Sequence, residues 1–167
     1  MFIAPFFAAL ASIIVTRDPG NSIAWLLGTV ATGIAAGVGV TLLNPDVAPP
    51  SVSLWLLLLL VIDQVWWMAF VFPILLVPFL FPTGRFLTPR WRWAGWLAGG
   101  MVALLLGFSL VADPVGPASG AWTVPNPWGM LPITFFDDTL AAPWSVGLVV
   151  LALGGVIALV VRFRRAE

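Results

Sequence analysis

The side chains of this protein that could carry chemistry are few. Its 167 residues include seven basic and seven acidic side chains, with no His, Cys or Tyr, and all seven basic residues are arginines. The commonest general base, a thiolate nucleophile and a Schiff-base lysine are therefore all missing. Without Cys, neither a disulfide nor a thiolate metal site can form. We expect no catalytic residues, no cofactor and no metal site, and hence no enzyme.

Asp63 is the only carboxylate inside an apolar run, and Gln64 follows it. A charge at bilayer depth costs about 3 kcal/mol or more unless it is paired, protonated or hydrated. One hypothesis is proton or cation sensing or transport by Asp63, assisted by Gln64. The hypothesis that we favour is an interfacial Asp63 that faces water. Trp66 and Trp67 come next, as expected for an aromatic belt at a membrane interface.

Two further carboxylates, Asp137 and Asp138, are adjacent in the sequence. They offer hard oxygen ligands, but two neighbouring carboxylates fall far short of the six to eight oxygens around calcium. We expect them instead to flank or cap the last helix.

The composition indicates that lipid, and not water, surrounds most of this chain. Apolar residues make up 61% and charged residues 8% of the sequence, and its mean hydropathy is +1.08. Backbone amides in a bilayer must be paired within the protein, and long apolar runs satisfy them as helices. We predict an all-α integral membrane protein whose main partner is the lipid bilayer. The zero net charge predicts no nucleic-acid partner.

Polar, proline and glycine residues interrupt the apolar sequence and separate about five transmembrane helices within a single domain. The first apolar segment is short, and the third is too long for a straight crossing. Pro73 and Pro78 should kink that third segment. Its start is predicted to be an extracytoplasmic or interfacial extension, the alternative being a strongly tilted helix with Asp63 buried. The predicted spans are about 2–16, 23–43, 54–81, 94–112 and 140–161.

The arginines predict the orientation of these spans. They form three clusters, and five crossings place all three clusters on the same side of the membrane. The positive-inside rule makes that side the cytoplasm, with the N-terminus outside and the C-terminus inside. The clusters are Arg17; Arg85, Arg90 and Arg92; and Arg162, Arg164 and Arg165.

Each face of the predicted bundle has a distinctive connection. The outer loop, residues 113–139, is long enough to be functional or to cap the bundle, and Trp122, Asn126 and Trp128 are its candidate sensing residues. The inner loop, residues 82–93, carries arginines and tryptophans suited to a lipid interface. We expect it to hold helices in register, the alternative being a docking or relay role for its arginines.

Small residues recur at helix-contact spacing in two of the predicted spans. Gly33 and Gly37 lie in the second span, and Gly95 and Gly99 lie in the fourth. Such spacing lets helix backbones approach closely. We expect tight packing within one bundle, the alternative being contact with a second copy of the chain in a homodimer.

Four short motifs follow one another along nearly the whole chain, and the inner-loop motif is the most specific. They consist of Pro19, Asn21 and Trp25; Phe81, Pro82, Gly84, Arg85, Pro89, Arg90, Trp91 and Arg92; Asn126, Pro127 and Gly129; and Arg162 to Ala166. In order and approximate spacing they resemble the N-terminal membrane sensor region of bacterial two-component sensor histidine kinases of the actinobacterial and Chloroflexi type. Ser22, Ala24 and Thr83 depart from the family pattern.

The resemblance implies a multi-pass sensor in the bacterial cytoplasmic membrane, with a histidine kinase or response regulator as partner. The family's phosphoacceptor and ATP-binding regions have no counterpart here, and a chain without His cannot autophosphorylate on histidine. We therefore expect a sensing or relay module without a kinase core. The alternatives are a small transporter or channel subunit built around Asp63, and a structural accessory subunit of a larger membrane complex.

Overall fold

The computed structural model describes residues 3–166, so Phe2 of the first predicted span lies outside it. Apart from two strands of two residues each, the regular structure is helical, which confirms the predicted all-α class in its coarse form. The elements are α1 (Ile3–Arg17), α2 (Ser22–Leu43), α3 (Leu54–Val65), α4 (Met68–Leu80), a 3-10 turn (Pro89–Arg92), α5 (Trp93–Val111), β1 (Ala112–Asp113), β2 (Leu131–Pro132), a π-helical turn (Phe136–Leu140) and α6 (Ala141–Ala166).

Three helical stretches are long and apolar enough to cross a membrane: Ser22–Leu43, Pro89–Val111 and Phe136–Arg165. Helices α3 and α4 make a fourth if the bent pair acts as one span, and α1 is a shorter apolar helix of 15 residues. The last helical stretch begins at Phe136, a few residues before the predicted boundary, because a π-helical turn leads into α6. The chain is thus a largely helical protein with several helices suited to a membrane.

The third predicted span is broken, but not at its prolines. The chain bends by 41° between α3 and α4, whereas α4 continues through Pro73 and Pro78. At the bend, the indole Nε1 of Trp67 donates to the carbonyl of Gln64 at 2.8 Å. There the backbone N–H groups of Ala69 and Phe70 donate to carbonyls three residues earlier, instead of the four of an α-helix. These tighter bonds accompany the 41° bend, which lies upstream of both prolines.

The main apolar core lies between α4, α5 and α6. Helix α1 packs against α2, α2 against α4, and α4 against α6. Phe79 of α4 and Leu151 of α6 are fully buried at its centre, and Met101 of α5 joins them. Large apolar side chains also face outwards, with Trp96 79% exposed and Leu42 78% exposed. Such a surface suits lipid as the surrounding solvent.

The glycine spacing has different consequences in the two helices. A Cβ on Gly33 would overlap the side chain of Ala69, and a Cβ on Gly37 would overlap the ring of Trp66. Tight packing within the bundle is therefore confirmed for α2. In α5, a Cβ on Gly95 would touch only Phe86, and one on Gly99 would meet nothing within 4 Å. Intramolecular packing was the wrong interpretation for Gly99.

Candidate functional site

Asp63 lies beneath the outer loop and is only 8% exposed. Its Oδ2 accepts hydrogen bonds from Asn44 Nδ2 at the end of α2 and from the backbone N–H of Ala118, both at 2.9 Å. The interpretation of Asp63 as a water-facing residue was therefore wrong. Burial is tolerated because an amide and a backbone N–H replace the lost water. One carboxylate thus joins α2, α3 and the outer loop.

The outer loop is also attached at neighbouring points. Gln64 Nε2 donates to the carbonyl of Gly116 at 3.2 Å, and Trp122 Nε1 donates to the carbonyl of Pro45 at 2.9 Å. Within the loop, Val115 and Val124 pair as an antiparallel bridge. The loop therefore folds back on itself and covers the outer ends of α2 and α3, as expected for a cap on the bundle.

Asn126 anchors the second half of the outer loop. Its side chain is 6% exposed, and Nδ2 donates to the carbonyls of Leu110 at 3.0 Å and Ala112 at 2.9 Å. Its backbone N–H donates to Asp113 Oδ1 at 2.7 Å, and its own Oδ1 accepts from the N–H of Trp128 at 3.0 Å. Asn126 thus satisfies carbonyls that α5 leaves unpaired at its C-terminus. The sequence pattern identified the residue, and the structure gives it a structural role.

The four candidate tryptophans lie in different surroundings. Trp66 packs against Gly37 of α2, whereas Trp67 points into the protein and lines a cavity. Trp128 is 44% exposed, and Trp122 is half-buried against the α2–α3 connection. Trp66 and Trp67 therefore have different neighbours, although they are adjacent in the sequence.

A cavity of about 430 Å³ lies next to the outer loop, between α3, α5 and the start of the last helical stretch. Most of its wall is apolar, and an aromatic group forms part of it. The ring centroid of Phe136 lies 5.6 Å from that of Phe108 and 5.9 Å from that of Trp144. Gln64 and Asp137 add polar groups to the lining. The volume lies within the range of small-molecule sites.

The two adjacent aspartates occupy the π-helical turn before α6, as the prediction that they flank the last helix required. Both side chains are exposed. Asp137 lines the cavity, and Asp138 is absent from its lining. The neighbours are therefore chemically alike but differently placed.

At the opposite end, the two inner turns contact each other. Asn21 caps α2 by accepting from the N–H of Ile23 at 3.0 Å, and the N–H of Ser22 donates to the carbonyl of Gly84 at 3.3 Å. Gly84 adopts a φ of +69°, and a Cβ there would overlap Asn21. The conformation and the close approach both require glycine at this position.

Arg162 of α6 fixes the inner loop to the last helix. Its Nη2 donates to the carbonyl of Phe79 at 2.8 Å and to that of Arg85 at 2.6 Å. Trp91 and Trp93 also pack on Phe79, with ring centroids 5.7 Å and 5.9 Å away. The end of α4, the inner loop and the exit of α6 therefore form one contact region.

The three candidate arginines of the inner loop have exposed side chains: Arg85, Arg90 and Arg92. A side-chain nitrogen of Arg85 lies 3.9 Å from the position that a Cβ on Gly20 would take. The three arginine clusters of the sequence thus meet at one end of the bundle. The exposed side chains of Arg85, Arg90 and Arg92 are available to a lipid headgroup or a protein partner.

The structure separates the predicted site residues into two groups. Asp63, Gln64, Trp67 and Trp122 gather at the outer end, whereas the inner-loop arginines lie at the other. Sequence reasoning missed Asn44 and Arg162 as binding partners. Asn44 was detectable in principle, since it ends the second predicted span on the same side as Asp63. The partners of Arg162 are backbone carbonyls, which every residue has, so the sequence does not indicate which of them it binds.

Comparisons of the chain with protein-family models, with curated proteins and with solved structures return no match.

Proposed function

We propose that this chain is a signal-sensing or signal-relay module of a bacterial cytoplasmic membrane, with no catalytic core in the described residues. In this proposal it crosses the membrane five times, with its N-terminus outside and its C-terminus in the cytoplasm. The meeting of all three arginine clusters at one end of the bundle supports that topology, because the positive-inside rule assigns such an end to the cytoplasm.

The observation that carries the proposal is the continuity of residues 63–79 between the two ends. At the outer end, Asp63 and Gln64 bind the outer loop. At the inner end, the carbonyl of Phe79 binds Arg162, which also binds the inner loop. The 41° bend lies between these contacts. A change in outer-loop position therefore has a covalent route to the inner loop.

A relay of this kind needs two arrangements that a stimulus populates differently. The bend between α3 and α4 is the element that we expect to differ between them. A stimulus that favours one outer-loop position changes the bend, and the change alters the presentation of Arg90 and Arg92 to a partner. These exposed guanidinium groups suit an acidic protein surface.

Co-purification from native membranes in mild detergent tests the proposal. The intact chain is compared with the double variant Arg90→Gln and Arg92→Gln, and with Arg17→Gln as a control that removes one arginine from another inner turn. Mass spectrometry should identify a histidine kinase or response regulator with the wild-type and Arg17→Gln proteins. The double variant should recover it at several-fold lower yield.

Recovery of only a self-oligomer, or of a large unrelated complex, would contradict the relay. Those results would favour a transporter or channel subunit, or an accessory subunit. An unchanged yield from the double variant would instead remove the inner loop from the relay.

A further inference from the structure

The cavity at the outer end has a chemical character that indicates its ligand. We propose that it binds a small organic cation, an ammonium group carrying apolar substituents. As the stimulus of the relay, this ligand rests on the proposed function, but its binding to the cavity does not. The aromatic wall, the charge of the lining and the positions of the arginines support this ligand class.

The aromatic wall is the first observation. Phe108, Phe136 and Trp144 lie with successive ring centroids 5.6 Å and 5.9 Å apart, and Trp67 completes the aromatic part of the lining. Aromatic faces carry negative charge density and attract ammonium groups within about 6 Å of the ring centroid. Several rings around one cavity therefore favour a desolvated organic cation over a neutral molecule of the same shape.

The charge of the lining also favours a cation. Asp137 is the one charged side chain among the residues that line the cavity, and Gln64 contributes an amide whose Nε2 already binds Gly116. The side-chain oxygen Oε1 of Gln64 accepts no hydrogen bond among the described residues, so it adds an acceptor to the lining. A cation would find an anionic group and a free acceptor, whereas an anion would be repelled.

The distribution of charge over the whole bundle also favours a cation at the outer end. The three arginine clusters meet at the opposite end of the bundle, and Asp46, Asp63, Asp113 and Asp138 accompany Asp137 at the outer end. An approaching cation is therefore attracted to this end before it reaches the cavity. A single lining carboxylate is too few for a hard metal ion, which needs several oxygens. The apolar walls instead suit the substituents of an organic ammonium.

The test uses benzyltrimethylammonium, with benzenesulfonate and benzyl alcohol as anionic and neutral aromatic controls. The full chain is held in nanodiscs of zwitterionic lipid, and binding is measured by isothermal titration calorimetry against empty nanodiscs. We expect saturable binding of the cation only. Equal binding of the neutral or anionic compound would overturn the proposal and identify the cavity as a general apolar site.

Two pairs of variants locate the binding. Asp137→Asn should weaken cation binding about fivefold, while Asp138→Asn, one residue away and outside the lining, should change it less than twofold. Phe136→Leu should weaken binding about threefold, while Phe135→Leu, whose ring stacks on Phe108 but does not line the cavity, should leave it unchanged. Equal losses within either pair would overturn the site.

The two proposals fail separately. Cation binding without any kinase or response-regulator partner would retain the site and reject the relay. Recovery of such a partner without saturable cation binding would retain the relay and reject this ligand class.

Discussion

The outer and inner ends of the bundle are held by different chemistry. At the outer end, buried polar side chains bind the backbone of a long loop, with Asp63 and Asn126 at its two halves. At the inner end, the turn at Gly84 contacts the start of α2, and tryptophans of the inner loop pack on Phe79. Arg162 adds hydrogen bonds to two carbonyls. The outer end depends on side chains that give up water, and the inner end depends largely on backbone and rings.

This difference bears on which end can change. Each outer contact is a single side chain that satisfies backbone groups from a distant segment, so displacing the loop leaves several groups unpaired at once. The inner loop keeps Arg90 and Arg92 exposed without disturbing its anchors. These contacts thus hold the outer end in one position, whereas the inner end leaves charged side chains exposed.

The largest expected effect is at Asp63. Asp63→Ala removes the acceptor of two part-buried hydrogen bonds, from the Asn44 amide and the Ala118 N–H, at about 1 to 3 kcal/mol for each group. We expect the unfolding free energy in detergent to fall by about 3 kcal/mol, measured by thermal unfolding. Asp46→Ala, at an exposed outer position, should change it by less than about 0.5 kcal/mol. Equal stability of the two variants would show that Asp63 does not hold the outer loop.

The next effect is at Asn126, where three side-chain hydrogen bonds are lost together. Asn126→Ala should lower the unfolding free energy by roughly 2 to 3 kcal/mol. Hydrogen exchange should accelerate at Trp128 and Gly129, whose N–H groups bind this residue. Asn126→Asp has the same shape but directs a carboxylate oxygen at the Leu110 and Ala112 carbonyls, so it should be at least as damaging. A harmless Asp substitution would contradict the role of Nδ2.

A matched pair of glycines compares the two ends directly. Gly84 and Gly120 have φ values of +69° and +70°, so an alanine at either costs about 1 kcal/mol in backbone strain. A Cβ at Gly84 would also overlap Asn21, whereas one at Gly120 meets nothing within 4 Å. Gly84→Ala should therefore cost about 2 kcal/mol and Gly120→Ala about 1 kcal/mol in thermal unfolding. Equal losses would mean that the inner turns are not in contact.

Much of this arrangement was accessible from the sequence because it depends on local composition. Apolar runs and their punctuation predicted the helices within a few residues, and the α2 glycines predicted close packing. The partners of Asp63 were not accessible. The Ala118 N–H is a backbone group 55 residues away, and any residue but proline supplies one. The same holds for Arg162, whose acceptors are carbonyls 77 and 83 residues away.

The bend shows a second limit of the sequence. Pro73 and Pro78 were the obvious candidates for a kink, because each removes a backbone donor. The 41° bend between α3 and α4 lies upstream of both, where the Trp67 indole donates to the Gln64 carbonyl. That contact depends on a side-chain rotamer that residue type alone does not determine.

The smallest expected effect on stability, about 1 kcal/mol, is at Arg162. Arg162→Met keeps the apolar stem and loses the two bonds to the Phe79 and Arg85 carbonyls, while nearby water partly replaces them. Hydrogen exchange should accelerate in residues 84–93, and Arg164→Met, an exposed neighbour, should leave it unchanged. The informative readout lies at the far end of the molecule. Faster exchange at Ala118 as well would mean that residues 63–79 couple the two ends, whereas a change confined to the inner loop would make the ends independent and contradict the relay.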